Sequence, residues 1–312
     1  MIEVSDLRKS YKRVRGLDGF SLRVETGEIV GLVGPNGAGK TSLIKILATL
    51  LPSDSGTARI GDWDVRTNPA EVRATIGYLP DVAGIYQDLR IIEFLEFFAD
   101  AYHLRPGKRE EAIEQALRVS GLSERREEYV EHLSLGWKQR LQLAKTLIHG
   151  PKVLLLDEPA SGLDPLARMA FREQLKKLRA DGITILVSSH ILADLEDVCS
   201  QVVFISEGKN VADPQGVVIS EAPKMGTIRC VIEFQENSKA GELARSLAGV
   251  NVLEATTTLL RAEVEGGERG AAQLLRELLE AGAVVSHFDT KLNDLEERYV
   301  RTFQGVGGKA TQ

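Results

Sequence analysis

Residues 34–41 read Gly34-Pro35-Asn36-Gly37-Ala38-Gly39-Lys40-Thr41, and they meet every fixed position of the phosphate-cradling pattern G-x-x-x-x-G-K-[ST]. Just before them, Ile29, Val30, Gly31, Leu32 and Val33 form an apolar run of strand length. Just after them, Leu43, Ile44, Leu47 and Leu50 recur at helical spacing across residues 41–50, and Pro52 closes the segment. Strand, glycine loop and helix in this order aim backbone N–H groups and a positive helix end at an anion. Gly34, Gly37 and Gly39 supply conformations and close approaches that a side chain would obstruct. In this frame Lys40 is expected to reach the β- and γ-phosphates of a nucleotide, and the Thr41 hydroxyl to ligate Mg²⁺.

The segments around this loop alternate in type. Ile2, Val4 and Leu7, then Leu17, Phe20, Leu22 and Val24, read as strands, with a turn at Thr26-Gly27-Glu28. Residues 88–104 read as a helix with Ile92, Leu95, Phe98, Ala99 and Tyr102 on one side, and residues 108–119 as a second helix ended by Gly121. Two unbroken apolar strands follow, Val153-Leu154-Leu155-Leu156 and residues 183–187. Continuous apolar strands alternating with helices imply an α/β fold whose parallel sheet is covered on both faces. Beyond about residue 214 the pattern becomes βαββαβ: strands at 228–234, 250–255, 259–264 and 283–288, helices at 239–247 and 271–281, and a last helix at 292–303. That order resembles a split, ferredoxin-like unit. The expected division is 1–215 for the nucleotide-binding domain, with a helical insertion at about 85–150, and 216–312 for a small C-terminal α+β domain.

A chain of 312 residues is longer than one ordinary core requires, which agrees with two domains. At 43% hydrophobic and 27% charged, the composition is that of a globular protein. No apolar run approaches the roughly 18 residues of a membrane span, and Met1-Ile2-Glu3-Val4-Ser5-Asp6 lacks the basic-then-apolar pattern of a secretion signal. The formal net charge of −6 argues against a general nucleic-acid binder. Cys199 and Cys230 have no neighbouring cysteine or paired histidine, so they read as buried thiols in a reducing compartment and not as zinc ligands.

The strand at 153–156 runs directly into Asp157 and Glu158. A carboxylate at such a strand end can hold Mg²⁺ opposite Thr41, and its neighbour Glu158 is a candidate general base for water. The strand at 183–187 ends in Ser188-Ser189-His190, again where ligands bind in such sheets. Ser134 reads as the N-cap of a helix that continues through Gln139, Leu141, Ala144, Leu147 and Ile148 to His149-Gly150-Pro151. The first turn of that helix offers free N–H groups and a positive dipole end.

Residues 34–41, Leu133-Ser134-Leu135-Gly136, Val153 to Pro159, Ser161-Gly162-Leu163-Asp164 and His190 occur in the order found in ABC-type ATPases. Over about residues 1–215 the chain resembles the ATP-binding subunit of an ABC transporter. The pattern from Ile76-Gly77-Tyr78-Leu79-Pro80 onward, with the C-terminal extension, resembles the exporter type. The resemblance implies a P-loop NTPase sheet with an antiparallel β subdomain and a helical insertion, ATP and Mg²⁺ as ligands, and ATP hydrolysis as the activity. It implies nucleotide contacts from Gly34, Pro35, Asn36, Gly37, Ala38, Gly39, Lys40, Thr41 and Ser42. Tyr11 would stack on adenine, although a tyrosine there could equally serve a core or surface. His190 would contact the γ-phosphate, and Asp164 would belong to a contact between subunits. Ser134 and Gly136 would face the γ-phosphate held by a second ATPase chain, identical or related. The insertion would meet a transmembrane permease, which places the protein in the cytoplasm, peripheral to the inner face of the membrane.

Three positions depart from the family pattern. Leu135 and Trp137 replace a glycine and the glutamine of Leu-Ser-Gly-Gly-Gln, and Asp81 stands where a metal-contacting glutamine is usual. A non-transport ABC ATPase, for assembly or DNA maintenance, and an ATP-sensing module are the rival expectations.

Overall fold

The computed structural model describes residues 1–12, 14–82, 84–195, 198–211, 217–218, 227–235 and 240–290. Two compact units divide at 219/220; the boundary expected after residue 215 lies outside the described residues.

The first unit opens with the strands β1 (Ile2–Tyr11) and β2 (Val14–Val24), which pair antiparallel. The odd spacing of Val4 and Leu7 is accommodated by a shift of register between them, with Asp6 in the left-handed region at φ 47°. β3 (Ile29–Val33) then leads through the phosphate loop into α1 (Lys40–Leu47). α1 stops five residues ahead of Pro52, because Ala48 caps it and Thr49 turns the chain with φ 62°. Four elements that the sequence pattern does not mark come next: β4 (Ser55–Ile60), β5 (Trp63–Asp64), α2 (Pro69–Thr75) and β6 (Ile76–Leu79).

The helical insertion contributes α3 (Ile91–Ala101), α4 (Pro106–Ser120) and α5 (Leu135–Leu147). It has its own core, which includes Ile91, Phe94, Leu95, Leu117, Leu141 and Ala144. The buried face of α3 is broader than the expected one: Leu95 and Ala99 are buried as expected, with Ile92 and Phe98 packed against the same core. Ile91 and Phe94 are fully buried, whereas Tyr102 is exposed, because the face is set by packing on α4 and α5 and not by periodicity alone. The unit continues with β7 (Val153–Leu156), α6 (Pro165–Ala180), β8 (Thr184–Ser189), β9 (Gln201–Ser206), β10 (Lys209–Asn210) and β11 (Val217–Val218).

Two sheets organise this unit. One is antiparallel, in the order β2-β1-β4-β5; the other runs β10-β9-β3-β8-β7-β6, with β11 also paired to β9. Within the second, β9, β3, β8, β7 and β6 are mutually parallel neighbours. One core joins residues of both sheets to α1: Ile2, Phe20 and Ile60 pack with Leu43, Ile44, Leu32, Leu155 and Leu186. Each such fully buried aliphatic or aromatic side chain contributes about 1.5–3 kcal/mol. Register aligns the C-terminal ends of the parallel strands: Val33 is opposite Ser189, and Leu156 opposite Val187. The residues that follow those ends therefore converge on one edge.

The second unit contains β12 (Thr227–Phe234), α7 (Ala240–Ser246), β13 (Val250–Ala255), β14 (Leu259–Glu265), α8 (Gly267–Glu280) and β15 (Val285–Asp289). Its antiparallel sheet has the order β13-β14-β12-β15, and its core includes Cys230, Ile232, Leu260, Ala262, Leu274 and Leu278. The unit is α+β. The helix expected at 292–303 lies outside the described residues. Cys199 and Cys230 are both buried free thiols, each pushed above the ordinary thiol range by burial.

Candidate nucleotide site

The phosphate loop is shaped by what its glycines touch. A Cβ on Gly34 would come within 2.1 Å of the Ile205 carbonyl oxygen, so β9 excludes any other residue there. Gly39 has φ 114°, and a Cβ on it would meet the Gly16 carbonyl oxygen at 2.3 Å. Lys40 folds back under the loop, where its Nζ donates to the Gly34 carbonyl at 2.7 Å and the Pro35 carbonyl at 3.2 Å. It also pairs with Glu158 Oε1 at 3.1 Å.

Glu158 adopts φ 48°, a left-handed conformation uncommon for a side-chain-bearing residue. Its backbone N–H donates to Ser188 Oγ at 2.9 Å, and that hydroxyl in turn donates to Asp157 Oδ1 at 2.8 Å. The second carboxylate oxygen of Glu158 lies 2.8 Å from His190 Nδ1 and accepts from the His190 N–H at 3.3 Å. A chain of contacts thus runs from Lys40 through Glu158 to His190. Ser188 fixes both acidic residues at once, a role the sequence did not assign; the only signal was its place at the end of an apolar strand.

Asp157 is 1% exposed. Burial raises its carboxyl above the ordinary range; hydrogen bonds from Ser188 and Thr41 oppose that shift, and the charges of Asp81 and Glu158 add to it. The ionised form therefore costs folding stability. The cost is absent below the ordinary carboxylate value, grows as pH rises through the raised value, and is complete above it. Asp157→Asn is accordingly expected to melt about 2–4 °C higher at pH 8, a gain of about 1 kcal/mol, while losing turnover. Calorimetric melting should show that advantage narrowing as the pH is lowered through the raised carboxyl value toward the ordinary one.

A cavity of about 240 Å³ is lined by Tyr11, Asn36, Gly37, Ala38, Gly39, Lys40, Thr41, Ser42, Asp81 and Glu158, together with Arg15 and Gly16. Tyr11 is 43% exposed; its hydroxyl lies 3.1 Å from Ser42 Oγ, and its ring lies 2.7 Å from where a Gly16 Cβ would stand. Arg15 and Gly16 were not singled out from the sequence, in which only their nearness to Tyr11 marks them. Ser134 and Gly136 do not line this cavity. They stand at the start of α5, where Ser134 takes the N-cap position but its side chain caps no backbone N–H. Gly136 packs against α6: a Cβ on it would meet Ala167 Cβ at 2.8 Å. Asp164 caps α6 by accepting from the Ala167 N–H at 2.9 Å.

A family model described as ABC transporter matches residues 17–161. The daunorubicin resistance ATP-binding protein DrrA2 of Streptomyces coeruleorubidus is 30% identical over 306 residues, which cover 96% of this chain and 94% of that one. The chain belongs to the ABC transporter family. It is also 32% identical over 212 residues to the linearmycin resistance ATP-binding protein LnrL of Bacillus subtilis, a match covering 68% of each chain. A solved structure of the ATP-binding subunit of an ABC transporter, 33% identical, superposes with a TM-score of 0.61 over 68% of this chain and 88% of the other. Within the ABC transporter family this chain is the subunit that binds and hydrolyses ATP.

The residues present suit Mg²⁺. Thr41 and Asp157 offer hard oxygens close to one another, with Asp81 nearby. Among the described residues, no cluster of three or more histidine, cysteine or acidic side chains could cage a metal. One or two carboxylates, with substrate phosphates and water completing the shell, is the usual arrangement for Mg²⁺.

Proposed function

We propose that the chain powers export through separate membrane-spanning subunits, and that its ATP-loaded state is a pair of ATPase chains with nucleotide between them. One observation carries the reading. Lys40 and Glu158 line one cavity, with His190 held on the Glu158 carboxylate, whereas the helix tip bearing Ser134 and Gly136 is not part of it. A second copy, or a related ATPase, would bring its own tip to the γ-phosphate, so binding would close the pair and hydrolysis would reopen it.

In that site Lys40 and the loop N–H groups hold the β- and γ-phosphates, and Tyr11 takes the adenine face. Glu158 receives the proton of the attacking water while His190 orients its carboxylate. Mg²⁺, held by Thr41 and Asp157 with Asp81 beside them, would neutralise developing phosphate charge. The export direction draws on the resistance functions named for the relatives. Among the described residues no helix is long and apolar enough to cross a membrane, and the protein is assigned to the cytoplasmic face through its permease.

The permease would dock on an aromatic edge of the insertion. Tyr86 and Phe97 are 56% and 49% exposed, and their rings meet edge-on at 5.4 Å; Phe98 extends the cluster at 5.2 Å from Phe97. Phe97→Glu is expected to keep the basal ATPase rate within about twofold and to lose permease-stimulated turnover, by about 1–3 kcal/mol of lost contact. Steady-state ATPase assays with and without the reconstituted membrane subunits test the whole reading. Absence of any stimulation by the reconstituted membrane subunits would favour the ATP-sensing alternative.

A further inference from the structure

Gln142 sits on α5 with only 3% of its surface exposed. Its Nε2 donates to the backbone carbonyl of Gly84 at 3.0 Å. Its Oε1 is buried and, among the described residues, meets no hydrogen-bond donor. A buried amide with an unmet acceptor costs about 1–3 kcal/mol relative to an apolar side chain of the same shape. Packing alone therefore favours leucine or methionine here. What the amide does is grip the segment that follows β6, three residues beyond Asp81.

The grip is one of three made by α5 and the turn just after it. One turn on, Thr146 packs against Gly77 so closely that a Cβ on the glycine would lie 2.6 Å from its Cγ2 and from its carbonyl oxygen. Next, His149 Nε2 lies 2.8 Å from the Ile76 carbonyl oxygen. Gln142 and Thr146 share one face of α5, His149 follows just past its C-terminus, and together they fasten it to β6 and to the segment leaving β6. β6 ends two residues before Asp81, which lines the phosphate cavity. The other end of α5 carries Ser134.

We propose that Gln142 is a positioning residue for hydrolysis: its hold on the Gly84 carbonyl ties the Asp81 segment to α5, so that the carboxylate beside the phosphate loop and the serine at the helix tip are set together. Gly77–Thr146 and Ile76–His149 fix the strand, while Gln142 alone of the three reaches past it to the segment bearing Asp81. The inference rests on the roles given above to Asp81 and Ser134.

Two variants remove the grip, Gln142→Met and Gln142→Leu; the first keeps the length of the side chain, so a folded protein is available even if leucine packs poorly. Chymotryptic cleavage after Tyr86, normalised to cleavage after Tyr129, reads how often the segment opens. Loss of one such hydrogen bond should raise it about five- to tenfold. In Mg²⁺-ATP assays kcat should fall about five- to tenfold with KM for ATP unchanged within about twofold. In an Asp81→Asn background the same change should alter kcat less than about twofold, since the residue acts through Asp81. Unchanged cleavage after Tyr86 in folded Gln142→Met would overturn the anchor, and full additivity with Asp81→Asn would overturn the route to the site. A normal kcat in Asp81→Asn alone would overturn the reading of Asp81, and the cleavage arm would still decide on the anchor.

Discussion

Glu158→Gln is expected to bind ATP as well as the unsubstituted chain while its turnover falls by about 10²–10⁴-fold. The structure gives reasons for both halves. Glutamine keeps the shape of the side chain, so its amide oxygen can stay beside the Lys40 ammonium, now 3.1 Å from the carboxylate. The amide nitrogen can donate toward His190 Nδ1, which lies 2.8 Å from the other oxygen, and gives up only the long 3.3 Å bond from the His190 N–H. The unusual φ of 48° at this position is held by the Ser188 contact to the backbone N–H, which the substitution does not touch. What disappears is a group able to take a proton from water. If pairing of chains depends on bound ATP and separation on hydrolysis, the variant should accumulate as a dimer with ATP. Sedimentation with and without nucleotide measures this. Turnover within about threefold of normal would remove Glu158 as the base, and a strictly monomeric ATP-bound variant would remove the two-chain site.

Lys40→Ala is expected to weaken ATP binding by at least about 10²-fold, equal to about 2.7 kcal/mol, as measured by titration calorimetry. A lysine at the centre of the loop forms charge-assisted bonds to phosphate that no neighbour replaces. Lys40 also satisfies the carbonyls of Gly34 and Pro35 and pairs with Glu158. Removing it leaves a largely buried carboxylate without its cation, a change that destabilises by roughly 3–5 kcal/mol when burial is complete and by less here, where some solvent reaches the pair. The two effects can be separated. In Lys40→Ala/Glu158→Gln the melting temperature should recover toward that of the unsubstituted chain, whereas ATP affinity should not. A dissociation constant within about fivefold of normal for Lys40→Ala would exclude the phosphate role assigned to this lysine.

The parts of the site legible in the sequence are those written in contiguous residues. A strand, a glycine loop and a helix follow one another between Ile29 and Leu47, and the Asp157-Glu158 pair ends an apolar strand, so local pattern suffices to mark them. Ser188 escaped because a serine after a strand has many uses, and only the 2.8 Å bond to Asp157 selects one. Arg15 and Gly16 escaped because they enter the cavity through the fold-back of β1 and β2 on α1, which no short window records. The full extent of the buried face of α3 is not legible in the sequence for a related reason: Phe94, Phe97 and Phe98 are all apolar, and which of them is buried depends on the helices packed alongside.

By itself, the order of residues determined that this chain holds a phosphate loop, a run of buried parallel strands, a helical insertion and a C-terminal α+β unit, because each follows from local period and from turn chemistry. Only the tertiary structure decided which strands are neighbours, since crossover connections leave that order open. The register of β3, β7 and β8 then brings Lys40, Asp157, Glu158 and His190, separated by as many as 150 positions in the sequence, to one edge of one sheet. The bond from Gln142 to Gly84 belongs to the same class: it links distant residues through a backbone carbonyl, a partner that every residue carries and that no sequence pattern can single out.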